Sequence, residues 1–365
     1  VAEFDQIKVR LVKFLHEELG FDVVAFESSI FESFYADQQI GKVSPTQTMT
    51  TSIFGMWHTQ ETLPLFEYLQ ATRSTNHPLH LAGFDIQPSS YIGAGARPQF
   101  LKDVIKPIND TYAQQVFDLD TRFLADLQGL TSSEAIQQYV NRNGDALTRS
   151  YQELVSYLDA HEAALTQAYT GNPERPLLAR QTAWSILQTL RCLHTDDENQ
   201  YLRIRDQGMA DNVDFLINKV YPGKRVIIWA HNTHIFRRGQ DIRDDSEIKG
   251  AKTMGAWLAE RHPTEIYAIG MYMYRGEAVQ NGGQVYSIDP ATPGSLESIL
   301  FSAGRRYLFV DLSNQEPVEG NRWMFLPIRV KEWGVDARSE TIVPHDQYDG
   351  LIFIATVTPP HYIRY

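Results

Sequence analysis

Apolar and polar positions in this chain follow two alternating periods. Phe4, Ile7, Leu11, Phe14 and Leu15 recur at helical spacing, and Gly20 supplies the stop. Phe21-Asp22-Val23-Val24-Ala25-Phe26 then reads as a short strand ending at Glu27-Ser28-Ser29. The unit recurs: residues 63–69 read as helix and 79–84 as strand, with Asp85 and Gln87 at the tip. From about 107 to 220 the period is helical almost throughout, with breaks expected at Asn143-Gly144 and Gly171-Asn172-Pro173. The strand pattern resumes at 225–230, followed by a helix over 250–262 and strands over 265–271, 306–311 and 351–357.

The expected fold is therefore α/β, with a mixed, largely parallel central sheet flanked by helices and carrying a large helical insertion. Its parts are a first α/β segment over 1–106, the helical insertion or subdomain over 107–220, and a second α/β segment over 221–365. The densest clue to chemistry lies where Val226-Ile227-Ile228-Trp229-Ala230 ends in His231-Asn232-Thr233-His234. Open α/β sheets place their ligand crevices at the carboxyl ends of strands. Three such ends carry polar groups here: Glu27-Ser28, Asp85-Ile86-Gln87 and the histidine pair. If those strands are parallel neighbours, the groups converge on one crevice. Each also has a plainer reading: a strand-tip acid caps a helix, and a histidine satisfies a local hydrogen bond. Glu27 follows an apolar run, so it needs a cationic partner or a raised pKa.

Composition narrows the partners. With 365 residues, 43% hydrophobic content and a net charge of −12, the chain reads as a folded globule. Its acidic surface disfavours nucleic acid and anionic membranes, and no apolar run is long enough to span a bilayer. Cys192, the single cysteine, falls in an apolar helical stretch and reads as a core residue. No signal-peptide pattern is visible, so a cytoplasmic location is the default expectation. Ser28-Ser29 lack the flanking glycines of a nucleophile elbow. His77 and His80 read as turn residues around Pro78, and His58 as a more remote candidate. Arg237-Arg238 read as a solvated pair, and Gly282-Gly283 as a bare turn.

Several stretches together resemble the erythromycin esterases. They are residues 21–27, the series Trp57, Glu61, Arg73 and Asn76, and Gly83-Phe84-Asp85-Ile86-Gln87. Arg205-Asp206, Met209, Asn212, Ala230-His231-Asn232-Thr233-His234 and Met254-Gly255 follow in the same order. The resemblance implies a deep cleft at the strand tips and hydrolysis of an ester or macrolactone, such as a macrolide antibiotic, by direct attack of water. It implies Glu27, His231 and His234 as catalytic residues, and Lys8, Arg10, Trp57, Arg73, Asp85 and Gln87 as substrate-binding residues. It also implies a water-activating histidine in a Gly-Glu-x-x-His segment that would stand just before Val1, so a trimmed chain is expected. No cofactor is required on this reading. The alternatives are a metal-dependent hydrolase, with Glu27, His231 and His234 holding a divalent ion, and a non-catalytic relative that binds a small molecule in the same cleft.

Overall fold

The computed structural model describes residues 1–364 apart from 131, 243–249, 281–282 and 336–337. Its centre is a parallel sheet in which β1 (Val23–Ser29) lies between β2 (His80–Asp85) and β3 (Val226–Trp229). All of β1 is buried, and its residues alternate between two cores as the strand period requires. Val23 and Ala25 join a cluster made with the helices of the insertion. Val24 and Phe26 join a second cluster with Val9 and Val12 of the first helix and with Leu65, Phe66 and Leu69. Burial on both faces explains the continuous apolar run.

A second sheet has the order β5-β4-β9-β6, with β4 (Ile269–Val279) parallel to β9 (Gly350–Val357). β5 (Val285–Ile288) and β6 (Tyr307–Asp311) pair antiparallel to β4 and β9 respectively. β7 (Ile328–Lys331) and β8 (Ser339–Ile342) form a separate antiparallel ribbon. β5, β7 and β8 are four residues each, too short a run to carry a readable period. The two main sheets meet through Asn232, whose amide donates to the Met271 carbonyl at 2.8 Å and accepts from the Met271 N–H at 3.1 Å. That side chain imitates a peptide pairing across the join.

Among the described residues five α-helices fill the insertion: Asp110–Gln128, Ser133–Ala160, Glu162–Ala168, Glu174–Leu193 and Glu198–Phe215. The break expected at Asn143-Gly144 is absent, because helix Ser133–Ala160 runs straight through it. A Cβ at Gly144 would overlap the His194 ring, so this glycine permits a close helix–helix approach instead of ending a helix. The break at Gly171-Asn172-Pro173 does separate two helices. The helix expected over 250–262 is Met254–Arg261, and of the Gly282-Gly283 turn, Gly282 lies outside the described residues. Among the described residues no helix is long and apolar enough to cross a membrane.

Candidate active site

The three parallel strands end at the same edge, and β1 ends irregularly. Phe26 pairs with Gly83 and Ser29 with Asp85, so three steps on β1 oppose two on β2. The extra residue is a bulge at Glu27-Ser28, a device that re-aims a side chain at a strand tip. Gly83 makes room for it, since a Cβ there would overlap the Ser28 and Ser29 carbonyls and the Ser33 hydroxyl.

Glu27 is thereby held in a charged network. Its Oε1 accepts from Arg205 Nη2 at 2.8 Å, and its Oε2 accepts from the His231 N–H at 2.9 Å. Arg205 also donates to fully buried Asp85, with Nη2 to Oδ2 at 2.6 Å and Nε to Oδ2 at 3.2 Å. His234 Nε2 stands 3.3 Å from Glu27 Oε1 and 3.2 Å from Arg205 Nη1, while its Nδ1 faces Asp206 Oδ1 at 3.0 Å. Asp206 further accepts from the Met254 N–H at 2.7 Å, which ties it to the start of helix Met254–Arg261. His231 caps the single helical turn Asn232–Ile235, and this turn brings His234 back beside it. His231 Nδ1 lies 2.8 Å from Thr233 Oγ1. Among the described residues nothing hydrogen-bonds His231 Nε2.

The electrostatics separate the members. Burial pushes the Glu27 carboxyl up, but His234, Arg205 and the His231 N–H outweigh it and bring it down to about 2. Burial, with the charges of His234, Lys8 and Arg205, lowers His231 to about 4 despite Glu27. Burial also disfavours charge on His234, yet Asp206 and Glu27 override it and raise that pKa. One histidine is thus neutral at pH 7, and its neighbour holds its proton to higher pH than a free imidazole.

The structure brings Glu27, Asp85, His231 and His234 together, as the strand-tip argument expects. Lys8 is alongside, with Nζ 3.4 Å from the Ala230 carbonyl and 4.9 Å from the centroid of the Trp229 ring; burial lowers its pKa. Gln87 donates to the Tyr201 hydroxyl, and Trp57 packs on Phe26 at 5.8 Å. Arg73 is not at this edge. It pairs with Asp37 and contacts His80, which opens β2 at its amino end, so the length of the strand separates it from Asp85. Arg10 lies on the solvent side of the first helix. Among the described residues no three His, Cys, Asp or Glu side chains are placed to share a cation. The physical reason is that the Arg205 guanidinium stands where a cation would, between Glu27 and Asp85. Ser28 is fully buried, with Oγ accepting from the Phe54 N–H, and burial raises the Cys192 thiol to about 12. Neither is arranged as a nucleophile.

Arg205 and Asp206, at the middle of the network, are the site residues that the strand-tip reasoning misses. Their signal lies in the helix Glu198–Phe215, where Arg205, Met209 and Asn212 share a face at i, i+4 and i+7. Charge beside fully buried Met209 and Asn212 requires a partner inside the protein. Asn212 anchors that face to β2 by donating to the Phe84 carbonyl at 2.9 Å.

Fold and site together define an α/β protein with an acid–histidine–arginine cluster at its parallel strand tips, covered by a helical insertion. The chain belongs to the erythromycin esterase family, whose model matches residues 16–357. YbfO of Bacillus subtilis (strain 168), which carries a provisional hydrolase name, is 28% identical over 379 residues, covering 100% of this chain and 82% of that protein. A Bacillus cereus protein of known structure superposes with a TM-score of 0.77 at 18% identity, over 98% of this chain and 86% of the other. An erythromycin esterase, EreC, with one histidine replaced by asparagine and in its open conformation, gives 0.75 at 18% identity, over 100% and 90%. A succinoglycan biosynthesis protein gives 0.73 at 18% identity, over 99% and 86%. These structural likenesses show the shared fold, and family membership supports hydrolase function.

Proposed function

We propose that the protein hydrolyses an ester or macrolactone, with a macrolide such as erythromycin as the leading substrate, by direct attack of water on the carbonyl. The observation that carries this reading is the convergence of Glu27, Asp85, Arg205, His231 and His234 at the tips of the three parallel strands, where the two histidines are perturbed in opposite directions, His231 downward to about 4 and His234 upward. Paired groups pushed apart in this way divide acid and base work between them. Neutral His231 handles the proton. Acting as the base requires the tautomer with its proton on Nδ1, which donates to Thr233 Oγ1 at 2.8 Å in place of the 3.4 Å cap contact from the Thr233 N–H. That tautomer leaves the Nε2 lone pair to accept a proton from the attacking water. The water oxygen bonds to the carbonyl carbon, the alkoxy C–O bond breaks, and the departing oxygen takes the proton back from His231. Charged His234 and Arg205 hold Glu27 as a carboxylate that fixes the His231 backbone. Their positive field also favours the developing oxyanion.

The test is incubation of the protein with a 14-membered macrolide, followed by mass spectrometry. The expected result is a gain of one water in the substrate. His231→Ala is expected to fold and to slow turnover by about 10²–10⁴-fold. No mass gain from folded protein overturns the macrolide assignment, and unchanged turnover in His231→Ala overturns the role of that histidine.

A further inference from the structure

The segment against His231 has an uncommon backbone. Trp333, in the connection between β7 and β8, has φ 55° and ψ 11°, the only positive φ of a non-glycine residue among those described. A bulky residue is disfavoured there and stays only where its surroundings over-determine it. Those surroundings are visible on both sides. The Trp333 carbonyl accepts from the Tyr286 hydroxyl of β5 at 2.8 Å, and Glu332 before it is buried. Gly334 follows at φ 72°, where a Cβ would press on Ile288 and Met273 at 2.9 Å. The backbone therefore lies against the β4–β5 hairpin at the Trp333 carbonyl and at Gly334. What this conformation delivers is the indole, laid on the His231 imidazole with centroids 4.5 Å apart and planes 23° apart. The residue remains 37% exposed.

We propose that Trp333 is a positioning residue for His231: its indole plate fixes the plane of the imidazole and keeps water off that face, leaving Nε2 as the open edge. This rests on the reading of His231 as the proton-handling group. The plate acts from a segment about a hundred residues further along the chain, and none of the sequence motifs includes it. The charged groups that face His231 from the elements around it are Glu27, His234, Lys8 and Arg205. Trp333 adds no charge of its own, and the Arg338 guanidinium 5.9 Å from its ring centroid is a cation whose closer approach lowers the His231 midpoint, so a rise on removing the indole reports hydration and ring freedom.

The experiment is an NMR titration of His231 in full-length protein carrying labelled histidine, with His231→Asn assigning the resonance. It compares the wild type with Trp333→Phe, which keeps a stacking ring, and with Trp333→Leu and Trp333→Ala, which do not. Water reaching the imidazole is expected to move its midpoint up from about 4 toward 6.5, by about one pH unit or more, in the Leu and Ala variants. The Phe variant is expected to stay with the wild type. In an ester assay, kcat is expected to fall at least tenfold in the Leu variant with KM changed less, and Phe to restore most of it. If the Ala variant does not fold, the Leu and Phe comparison decides. A His231 midpoint unmoved in folded Trp333→Leu overturns the proposal, whether or not any ester is turned over. A moved midpoint with no hydrolysis of any ester supports the placement of the histidine and overturns the hydrolase reading instead.

Discussion

Replacing Glu27 by Gln removes one charge from the centre of the network and little else in shape. The carboxyl is brought from 4.5 to about 2 in the folded protein. At 1.36 kcal/mol per pH unit this corresponds to roughly 3 kcal/mol of stability at neutral pH. The residue is 8% exposed, so solvent screening removes little of it. Because the folded pKa is depressed, the contribution is complete above the unfolded value and is lost as pH falls through the folded one. Linkage leaves roughly three quarters of this at pH 4 and less than half at pH 3. Glutamine imitates the protonated acid, so the wild type should exceed Glu27→Gln by these amounts. Urea unfolding of both proteins at pH 7, 5, 4 and 3 measures the difference. A gap below about 1 kcal/mol at pH 7 refutes the reasoning, and so does a gap that fails to narrow toward pH 3.

Three further outcomes follow from the same geometry. Arg205→Met leaves fully buried Asp85 without its cation and should cost about 3–5 kcal/mol in urea unfolding, part of it recovered by adding Asp85→Asn. The pH dependence of kcat/KM for a hydrolysed ester should be bell-shaped. Its acidic limb falls as His231 gains a proton near pH 4, and its alkaline limb falls above pH 6.5 as His234 loses one; a flat profile from pH 5 to 9 would contradict the division of roles. Gly83→Ala drives a methyl group into the β1 bulge and should destabilise by about 3 kcal/mol, read from denaturant midpoints.

Periodicity alone located β1, β2, β3, β6 and β9, because their residues are apolar on a short period and bounded by turn residues. It also placed Glu27, Asp85, His231 and His234 at strand tips, which in a parallel sheet is a spatial statement. What it could not decide was each residue's partner. Arg73 and Arg205 are both arginines near helical segments, yet one stands at the amino end of β2 and the other at its carboxyl tip. The one-residue bulge that re-aims Glu27, the fit of Gly144 against His194, and the left-handed Trp333 on His231 all depend on contacts between distant segments. Local sequence determines the elements and the ends at which polar groups emerge. Only tertiary packing decides which charges meet and which imidazole stays neutral, because burial and opposing charge belong to the assembled neighbours and not to the residue.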